Sequence, residues 1–550
     1  MNKHNQTKAL FQKALSSHQA GNVDQAKVLY EEIIQMDPDH SDACHLLGVI
    51  QAQQGQEKEA IKNIQRAIQL SECDIYLNSL GAVFLKQGHI QKACSCLNKA
   101  LAQNDLYIDA YNNLGQALLL GGECMDALNC FKKMLSLQNN IPQLQSNYLM
   151  CLNYVPSLND SEIYKSHLNF NKLFDTCQSY HKKDSLRPLK KTLRIGYVSP
   201  DFSRSSVAFF VEPVLQNHNF DLFEIYCYAN VNQPDDVTQR FQSFNIQWVD
   251  TMLMTDDQMA STIVQDKIDI LVDLCGHFSG NRLGVFARQP APIQVTWLGY
   301  PNTTGLSSIQ YRLTDAIADP NKDAYYSEKL IRLPSPFLCY RPIENSPDIS
   351  PLPALNNGFV TLGSLNNLAK INAITIQTWA KILNQLPHAR LLFKGRPFID
   401  TDTQNRFQQK FEQFGITPDR LIFRPYEKKI TSHLMTYHDI DLALDSFPYH
   451  GTTTTCDALW MGVPVIILCG NKHASRVGAT LLSAVGLTDF ITHSIEEYIE
   501  KTIQIGQDFQ LLKTVRSYLR SVMANSPLMD AKALTQNVEF AYQQMWSGKY

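Results

Sequence analysis

A repeat of about 34 residues runs through the first part of this chain and constrains its fold more than any other feature. Leucine–glycine pairs recur at that spacing, at Leu47-Gly48, Leu80-Gly81 and Leu114-Gly115. A second glycine keeps the same period, and an alanine follows it five residues later each time: Gly21 and Ala26, Gly55 and Ala60, Gly88 and Ala93, Gly122 and Ala127. Small residues at fixed positions let two helices approach closely, and a glycine can close the turn between them.

This period resembles the tetratricopeptide repeat, a helix–turn–helix unit. We expect three to four such units over residues 1–150, stacked into an α-solenoid whose concave face binds a peptide or a protein. The alternative is a plain helical bundle. Residues 151–191 are expected to form a helical connector to the next domain.

From residue 192 onward, short apolar segments alternate with helical stretches. Segments that are apolar throughout are typical of strands buried on both faces of a parallel sheet, and their alternation with helices predicts βαβ units. A stretch rich in Pro, Asn and Ser at 335–358 indicates a linker, so we predict Rossmann-like domains at 192–345 and 346–550, the second closed by C-terminal helices. Strands are predicted at 193–200, 223–229, 268–276, 293–300, 359–365, 389–395, 420–426, 440–447 and 464–470.

Composition and short motifs exclude several classes of protein. The net charge of −3 gives no indication of a nucleic-acid or membrane-surface partner. No GxGxxG follows the first strand and no GxxxxGK[ST] occurs, which argues against a dinucleotide dehydrogenase and a P-loop NTPase. The 13 cysteines show no zinc spacing. Without an apolar leader or an 18-residue apolar run, a cytoplasmic location is expected, with export by a non-classical route as the alternative.

The segment HGTTTTCDALWMGVPVI at 450–466 is the strongest candidate for a ligand site. It follows a predicted strand and begins a helical pattern, and a helix amino end offers unpaired N–H groups to a phosphate. Hydroxyls of Thr452, Thr453 and Thr454 would add donors without bulk, and Asp457, expected in the first helical turn, could accept from a ribose. The alternative is that one threonine caps the helix and the others only fill a loop.

Two further side chains favour the ligand hypothesis. Lys370 follows the predicted strand at 359–365 and could neutralise a diphosphate. His433 precedes the strand before the threonines and could face a nucleotide base, although most single histidines are surface or core residues.

Several segments together resemble the O-linked N-acetylglucosamine transferase family, also called the SPINDLY-like family. They are LRIGYVSPDFSRSSVAFFVEP, FEIYCYA, IDILVDLCGHFSGNRLGVFARQPAPIQVTWLGYPNTTG, GSLNNLAKI, HGTTTTCDALWMGVPVI and HASRVGATLL. The resemblance covers almost the whole chain and implies tetratricopeptide repeats followed by a two-domain GT-B catalytic region.

The resemblance also implies site residues. Lys370, Thr453 and Thr454 would hold the diphosphate, Asp457 the ribose and His433 the uracil. Gly299 and Pro301 of LGYPNTTG would border the sugar pocket. The chain departs from the family pattern at three positions: Ser205 stands where a histidine is usual, Thr452 where glycine or histidine is usual, and Asn367 where glutamine is usual.

The predicted function is that of an inverting glycosyltransferase. It would move N-acetylglucosamine from UDP-GlcNAc to Ser/Thr hydroxyls of a protein bound by the repeats, without a metal or other cofactor. The resemblance implies that the usual histidine lies near the transferred sugar and acts in catalysis, so Ser205 stands in a catalytic position. With serine there, Asp266, Asp269 and His277 remain as candidates for the base. The alternatives are another sugar such as fucose or glucose, another acceptor, or a nucleotide-binding scaffold with weak catalysis.

Overall fold

The computed structural model describes residues 3–181, 191–320, 323–334, 336–427 and 429–550. Contacts within these ranges divide the chain into two compact units. The first comprises the chain up to Asn139 together with Arg396–Phe407, and the second comprises Asn140–Gly395 and Gln408–Tyr550. Part of the predicted connector, residues 182–190, lies outside the described residues.

The first unit is built from antiparallel helix pairs with the predicted period. Its helices are α1 Lys3–Gln19, α2 Val23–Met36, α3 Ser41–Gln53, α4 Glu57–Leu70, α5 Asp74–Gln87, α6 Ile90–Gln103, α7 Ile108–Leu120 and α8 Cys124–Leu137. The recurrent alanines Ala26, Ala60, Ala93 and Ala127 are fully buried. A Cβ atom on Gly115 would lie 2.7 Å from the ring of Phe131, so α7 and α8 can pack this closely only with glycine there.

The turn glycines have the geometry that the repeat requires. Gly88 has φ of 87° and follows α5 as its C-cap, a left-handed conformation that costs little only for glycine. The equivalent glycines at 21, 55 and 122 have φ between 76° and 80°. The predicted helical repeat region is therefore confirmed.

The second unit contains two all-parallel sheets. The first sheet has the order β3-β2-β1-β4-β5-β6-β7, and the second has the order β10-β9-β8-β11-β12-β13. The strands are β1 Leu193–Ser199, β2 Phe223–Ala229, β3 Gln247–Asp250, β4 Ile270–Asp273, β5 Ile293–Thr296, β6 Tyr311–Asp315, β7 Lys329–Leu333, β8 Thr361–Ser364, β9 Arg390–Gly395, β10 Leu421–Pro425, β11 Leu442–Leu444, β12 Val465–Leu468 and β13 Ile491–Thr492. Both orders are doubly wound, which confirms the two Rossmann-like halves.

Helices cover these sheets, as the βαβ pattern requires. The remaining helices are α9 Pro142–Leu152, α10 Asp160–Asn171, α11 Ala208–Asn217, α12 Asp236–Gln242, α13 Asp256–Gln265, α14 Leu283–Ala287, α15 Ala354–Asn357, α16 Ala373–Gln385, α17 Thr401–Glu412, α18 Ile430–Met435, α19 Thr453–Trp460, α20 Val477–Ala484, α21 Ile495–Gln507, α22 Phe509–Ala524 and α23 Ala531–Trp546. Four strands, β3, β6, β7 and β13, were not predicted.

The last helix belongs by its contacts to the first Rossmann-like half, although the sequence placed it with the second. On α23, Glu539 accepts a hydrogen bond from the Asn219 backbone (2.7 Å) and lies 2.9 Å from Nδ1 of His218. The Tyr542 hydroxyl lies 3.2 Å from that of Tyr197 on β1. The chain thus crosses back to the first sheet at its end.

Candidate active site

A cleft of about 460 Å³ lies between the two Rossmann-like halves of the second unit. Each sheet reverses its strand order at one point, between β1 and β4 in the first and between β8 and β11 in the second. The cleft is lined by loops that follow these four strands, as expected for open α/β sheets. Seven of the predicted site residues line it together: Gly299, Pro301, Asn367, Lys370, Thr452, Thr453 and Thr454.

The amino end of α19 opens toward this cleft. The helix begins at Thr453, so Thr453, Thr454 and Thr455 form its first turn. Thr452 is the N-cap residue but its side chain makes no capping hydrogen bond. The first intrahelical bond runs from the Cys456 N–H to the Thr452 carbonyl, so the preceding N–H groups have no partner in the helix.

The hydroxyl groups of the threonines have different partners. The Oγ1 atom of Thr453 is buried and has no hydrogen-bond partner among the described residues. Thr454 donates to Oδ1 of Asn366 at 2.6 Å, so its hydroxyl hydrogen is already used within the protein. Thr455 donates to the carbonyl of Gly451 at 3.2 Å. The hydroxyl of Thr453 is therefore free for a ligand, and the side chain of Thr452, which also lines the cleft, makes no capping hydrogen bond.

A buried carboxylate fixes the loop that leads into α19. Oδ1 of Asp445 accepts from the Asn366 amide (2.8 Å) and from the Gly451 N–H (2.7 Å). Through Asn366 this network reaches Thr454, which lies 88 residues away from Asn366 in sequence. The loop after β8 and the start of α19 are therefore held in fixed positions relative to each other.

Lys370 places a cation beside this helix end. Its Nζ donates to the carbonyl of His450 at 2.7 Å and lies 4.0 Å from the ring centroid of Tyr449. Burial lowers the pKa of Lys370 to about 8, an effect that the Asp445 carboxylate opposes. Lys370 thus carries its charge at neutral pH. Because the site is buried, the ammonium would attract an anion more strongly there than at the surface.

Asp457 and His433 lie beside each other and are not among the residues that line the cleft. Asp457 is the fifth residue of α19, not part of its first turn as expected. Its Oδ1 accepts from the Tyr340 hydroxyl at 2.5 Å, and its Oδ2 lies 3.6 Å from Nε2 of His433. Nδ1 of His433 is buried without a partner among the described residues. Contacts of these two side chains with ribose and base remain predictions.

The loop after β5 forms one wall of the cleft. A Cβ atom on Gly299 would lie 2.1 Å from the Leu274 carbonyl oxygen, so no other residue fits there. The neighbouring Leu298 has φ of 63°, a strained conformation for a leucine. This wall is therefore shaped by local backbone geometry at the point where Pro301 meets the cleft.

Ser205 does not line the cleft, although its neighbour Ser206 does. Its hydroxyl donates to the Asp201 carbonyl at 3.0 Å and accepts from the Ala208 N–H at 3.3 Å. The serine therefore stabilises the loop between β1 and α11. This corrects the expectation that Ser205 stands in a catalytic position.

Asp266 and Asp269 lie at the amino ends of the strands of the first sheet, on the side opposite the cleft. Both precede β4, and Asp269 accepts from the Arg194 N–H at the start of β1 (2.9 Å). Asp266 accepts from the Tyr228 hydroxyl at 2.7 Å. Since the cleft is at the carboxyl ends of the strands, this placement corrects the prediction of either carboxylate as the base.

His277 is on the correct side of the sheet but faces the protein interior. Its Nε2 lies 2.8 Å from the Thr304 carbonyl and its Nδ1 lies 3.0 Å from the Ser146 hydroxyl. Since the carbonyl can only accept, Nε2 carries the hydrogen and Nδ1 accepts. Burial lowers the pKa of His277 well below its usual value. Both nitrogens are thus occupied, which corrects its prediction as a base.

The sequence analysis did not predict the carboxylate and the histidine that line the cleft, Asp201 and His473. Asp201 follows β1 by two residues and lines the first half's wall. His473 lines the opposite wall, and its Nδ1 lies 2.7 Å from Oδ2 of the buried Asp319. The preference of ligands for the carboxyl ends of strands could have selected Asp201 over Asp266 from the sequence. Nothing in the sequence near His473 points to Asp319, which lies 154 residues away.

Within the described residues, no group of three or more His, Cys, Asp or Glu side chains is arranged to hold a metal ion. None of the described helices is both long and apolar enough to span a bilayer.

Comparison with known proteins identifies relatives over most of the chain. The model of glycosyl transferase family 41 matches residues 165–341 and 353–538, and a tetratricopeptide repeat model matches residues 17–70. A mutant of the O-GlcNAc transferase of Thermobaculum terrenum has a similar structure, with a TM-score of 0.83 and 30% identity over 99% of this chain and 98% of that one.

Curated relatives from plants are more similar in sequence. A probable UDP-N-acetylglucosamine–peptide N-acetylglucosaminyltransferase SPINDLY of Solanum lycopersicum is 41% identical over 406 residues, 73% of this chain and 44% of its own length. The protein of the same name from Arabidopsis thaliana is 39% identical over the same shares. The chain thus spans less than half the length of these relatives.

Proposed function

The chain belongs to glycosyl transferase family 41, and from this premise we propose that it transfers N-acetylglucosamine from UDP-GlcNAc to Ser/Thr hydroxyls of proteins, with inversion at the anomeric carbon. The names of the plant relatives and of the Thermobaculum protein support this donor and acceptor. The observation that carries the proposal is the uncapped amino end of α19 beside Lys370, with the buried Thr453 hydroxyl left without a partner among the described residues.

These groups suit a departing nucleoside diphosphate. As the bond from the anomeric carbon to the β-phosphate oxygen breaks, negative charge grows on that oxygen. The Lys370 ammonium, the Thr453 hydroxyl and the free N–H groups of α19 are donors that are already in position for this charge. Oriented donors of this kind need no rearrangement during the reaction, so they lower the barrier. We propose that no metal ion is needed for this stabilisation.

The acceptor protein is proposed to bind the first unit. Polar side chains recur there with the repeat period: the Asn113 amide donates to Oδ1 of Asn78 at 2.9 Å, and the Asn78 amide donates to the Tyr107 hydroxyl at 3.2 Å. His45 contacts the Ser79 hydroxyl at 2.8 Å in the same way. Asparagine amides carry both donors and acceptors, which suits an extended peptide backbone irrespective of its sequence.

A second candidate keeps the reaction but changes the donor sugar, for example to fucose or glucose. The observation that favours it is the position of Ser205, which lies outside the cleft where the family resemblance implied a histidine near the sugar. Without a histidine there, the sugar lacks a contact that the resemblance implied, whereas the residues that would bind the diphosphate are unaffected.

A donor panel tests both candidates. The purified full chain is incubated with UDP-GlcNAc, UDP-glucose or GDP-fucose and with proteins from its own cell, and mass spectrometry records the sugar added. We expect N-acetylhexosamine on serine or threonine together with released UDP. We expect the same amounts when a metal chelator is present. Transfer only from another donor would establish the second candidate, and UDP binding without transfer from any donor would leave a nucleotide-binding scaffold.

A further inference from the structure

Transfer to a hydroxyl requires a group that accepts the proton, and the sequence-predicted candidates do not face the cleft. Resting on the proposed function, we infer that the Asp201 carboxylate is the general base that accepts the proton of the acceptor hydroxyl.

The position of Asp201 is the first support. It follows the carboxyl end of β1, at the point where the first sheet reverses its strand order. Among the described residues that line the cleft, Asp201 is the only carboxylate. Its loop is fixed, because its N–H donates to Oγ of Ser199 at 2.9 Å and its carbonyl accepts from the Ser205 hydroxyl at 3.0 Å.

The direction of attack is the second support. In an inverting transfer the nucleophile approaches the face of the sugar opposite the leaving group, and the base must lie on that side. Lys370 and Thr453, the residues proposed to bind the diphosphate, belong to the second Rossmann-like half, whereas Asp201 belongs to the first. His473 lies on the same half as these two residues, so it is better placed to form a hydrogen bond with a sugar hydroxyl than to accept the proton of the acceptor hydroxyl.

The electrostatic environment of Asp201 suits a base. Burial raises the pKa of its carboxyl to about 6. The thiol of Cys275 interacts electrostatically with Asp201, but burial raises the pKa of this thiol well above its usual value, so it stays neutral. Asp201 is therefore ionised at neutral pH and yet more basic than an exposed carboxylate.

The step balances without any further reactant. The acceptor oxygen forms a bond to the anomeric carbon while the bond from that carbon to the β-phosphate oxygen breaks. The electron pair of the broken bond stays on the nucleoside diphosphate. The hydroxyl proton passes to Asp201, which later releases it to water.

The test uses the full chain with Asp201→Asn, which keeps the shape of the side chain but cannot accept the proton. We expect turnover to fall by about 10²–10⁴-fold, the usual contribution of general-base catalysis, with UDP affinity unchanged. The wild-type rate should rise with pH and level off above a midpoint near pH 6, and this acid limb should be absent in the variant. Asp257→Asn, an exposed carboxylate paired with Arg288, is the matched control and should behave as wild type.

A second variant applies if Asp201→Asn fails to bind UDP. Asp201→Glu keeps a carboxylate at this position, so its transfer rate should still fall at acid pH, whereas the rate of Asp201→Asn should not. A rate of Asp201→Glu that does not fall at acid pH, or full transfer by Asp201→Asn, would overturn the assignment. Loss of transfer in His473→Gln together with full transfer in Asp201→Asn would assign the base to His473. A wild type that binds UDP but transfers no sugar would instead refute the proposed function.

Discussion

At the scale of single residues, some side chains at the cleft are free to bind a ligand, whereas others form hydrogen bonds within the protein. Lys370, Thr453 and Asn367 line the cleft as the sequence suggested, because each follows the carboxyl end of a strand. Thr454 and Ser205 resemble ligand residues in the sequence, but their hydroxyls donate to Asn366 and to a backbone carbonyl. Hydrogen bonds to partners that are distant in sequence decide whether a hydroxyl is free to bind a ligand. Residue type and spacing do not determine these hydrogen bonds.

Lys370→Ala should weaken UDP binding by about ten- to hundredfold. A hydrogen bond to a charged group contributes about 1.5–3 kcal/mol, and the ammonium here is largely shielded from water. Calorimetry with UDP measures the change, and Lys381→Ala, an exposed lysine on α16, is the control. Equal affinities of the Lys370 variant and wild type would exclude Lys370 from the diphosphate site.

The same lysine predicts the pH dependence of UDP binding. Because the pKa of Lys370 is lowered to about 8, its charge is complete at lower pH and is lost as the pH rises through that value. UDP affinity should therefore fall above pH 8, with a midpoint displaced upward by the bound anion. In Lys370→Arg the guanidinium stays charged, so the fall should disappear. An unchanged fall in that variant would assign the titration to another group.

At the scale of elements, the repeats and most strands were predictable, whereas β3, β6, β7 and β13 were not. The apolar segments around β1, β2, β8 and β9 mark central strands because both faces of these strands are buried. The strand β3 escaped prediction because it is an edge strand whose residues are half-buried or exposed. Helix α23 was assigned to the wrong half, since nothing local in its sequence records that Tyr542 and Glu539 contact β1 and the loop before β2.

The start of α19 is the element that the phosphate proposal depends on. Thr453→Val keeps the shape of the side chain and removes the hydroxyl, so UDP affinity should fall by about tenfold, the effect of one hydrogen bond to a charged group. Thr453→Ser keeps the hydroxyl and should retain most of the affinity. Calorimetry distinguishes the two variants, and equal losses in both would show that the methyl group, not the hydroxyl, matters.

At the scale of the whole molecule, the chain combines a helical repeat unit with a second unit that contains two Rossmann-like halves. The proposed division of work is that the repeats select the acceptor and the cleft performs the transfer. This organisation was predictable from the sequence because the repeat period ends before the first apolar strand begins. The ligand groups all belong to the second unit.

If the repeats select the acceptor, a substitution in the first unit should impair acceptor selection without affecting UDP binding. Asn113→Ala removes an amide that bonds to Asn78 and should slow modification of full-length protein acceptors while leaving UDP affinity unchanged. The control is Asn384→Ala, an exposed asparagine on α16 in the second unit. Transfer assays on proteins and on short peptides in parallel provide the comparison. Equal rates for Asn113→Ala and wild type on full-length proteins would argue against this polar row as the acceptor surface.

The most direct test of the central claim is sugar transfer that depends on Lys370. Wild type and Lys370→Ala are each incubated with UDP-GlcNAc and cellular protein, and both released UDP and modified serine or threonine residues are quantified by mass spectrometry. We expect UDP release and modified sites in equal amounts from wild type, and a large loss of both in the variant. Absence of UDP binding by wild type, or equal transfer by the two proteins, would contradict a glycosyltransferase site at the amino end of α19.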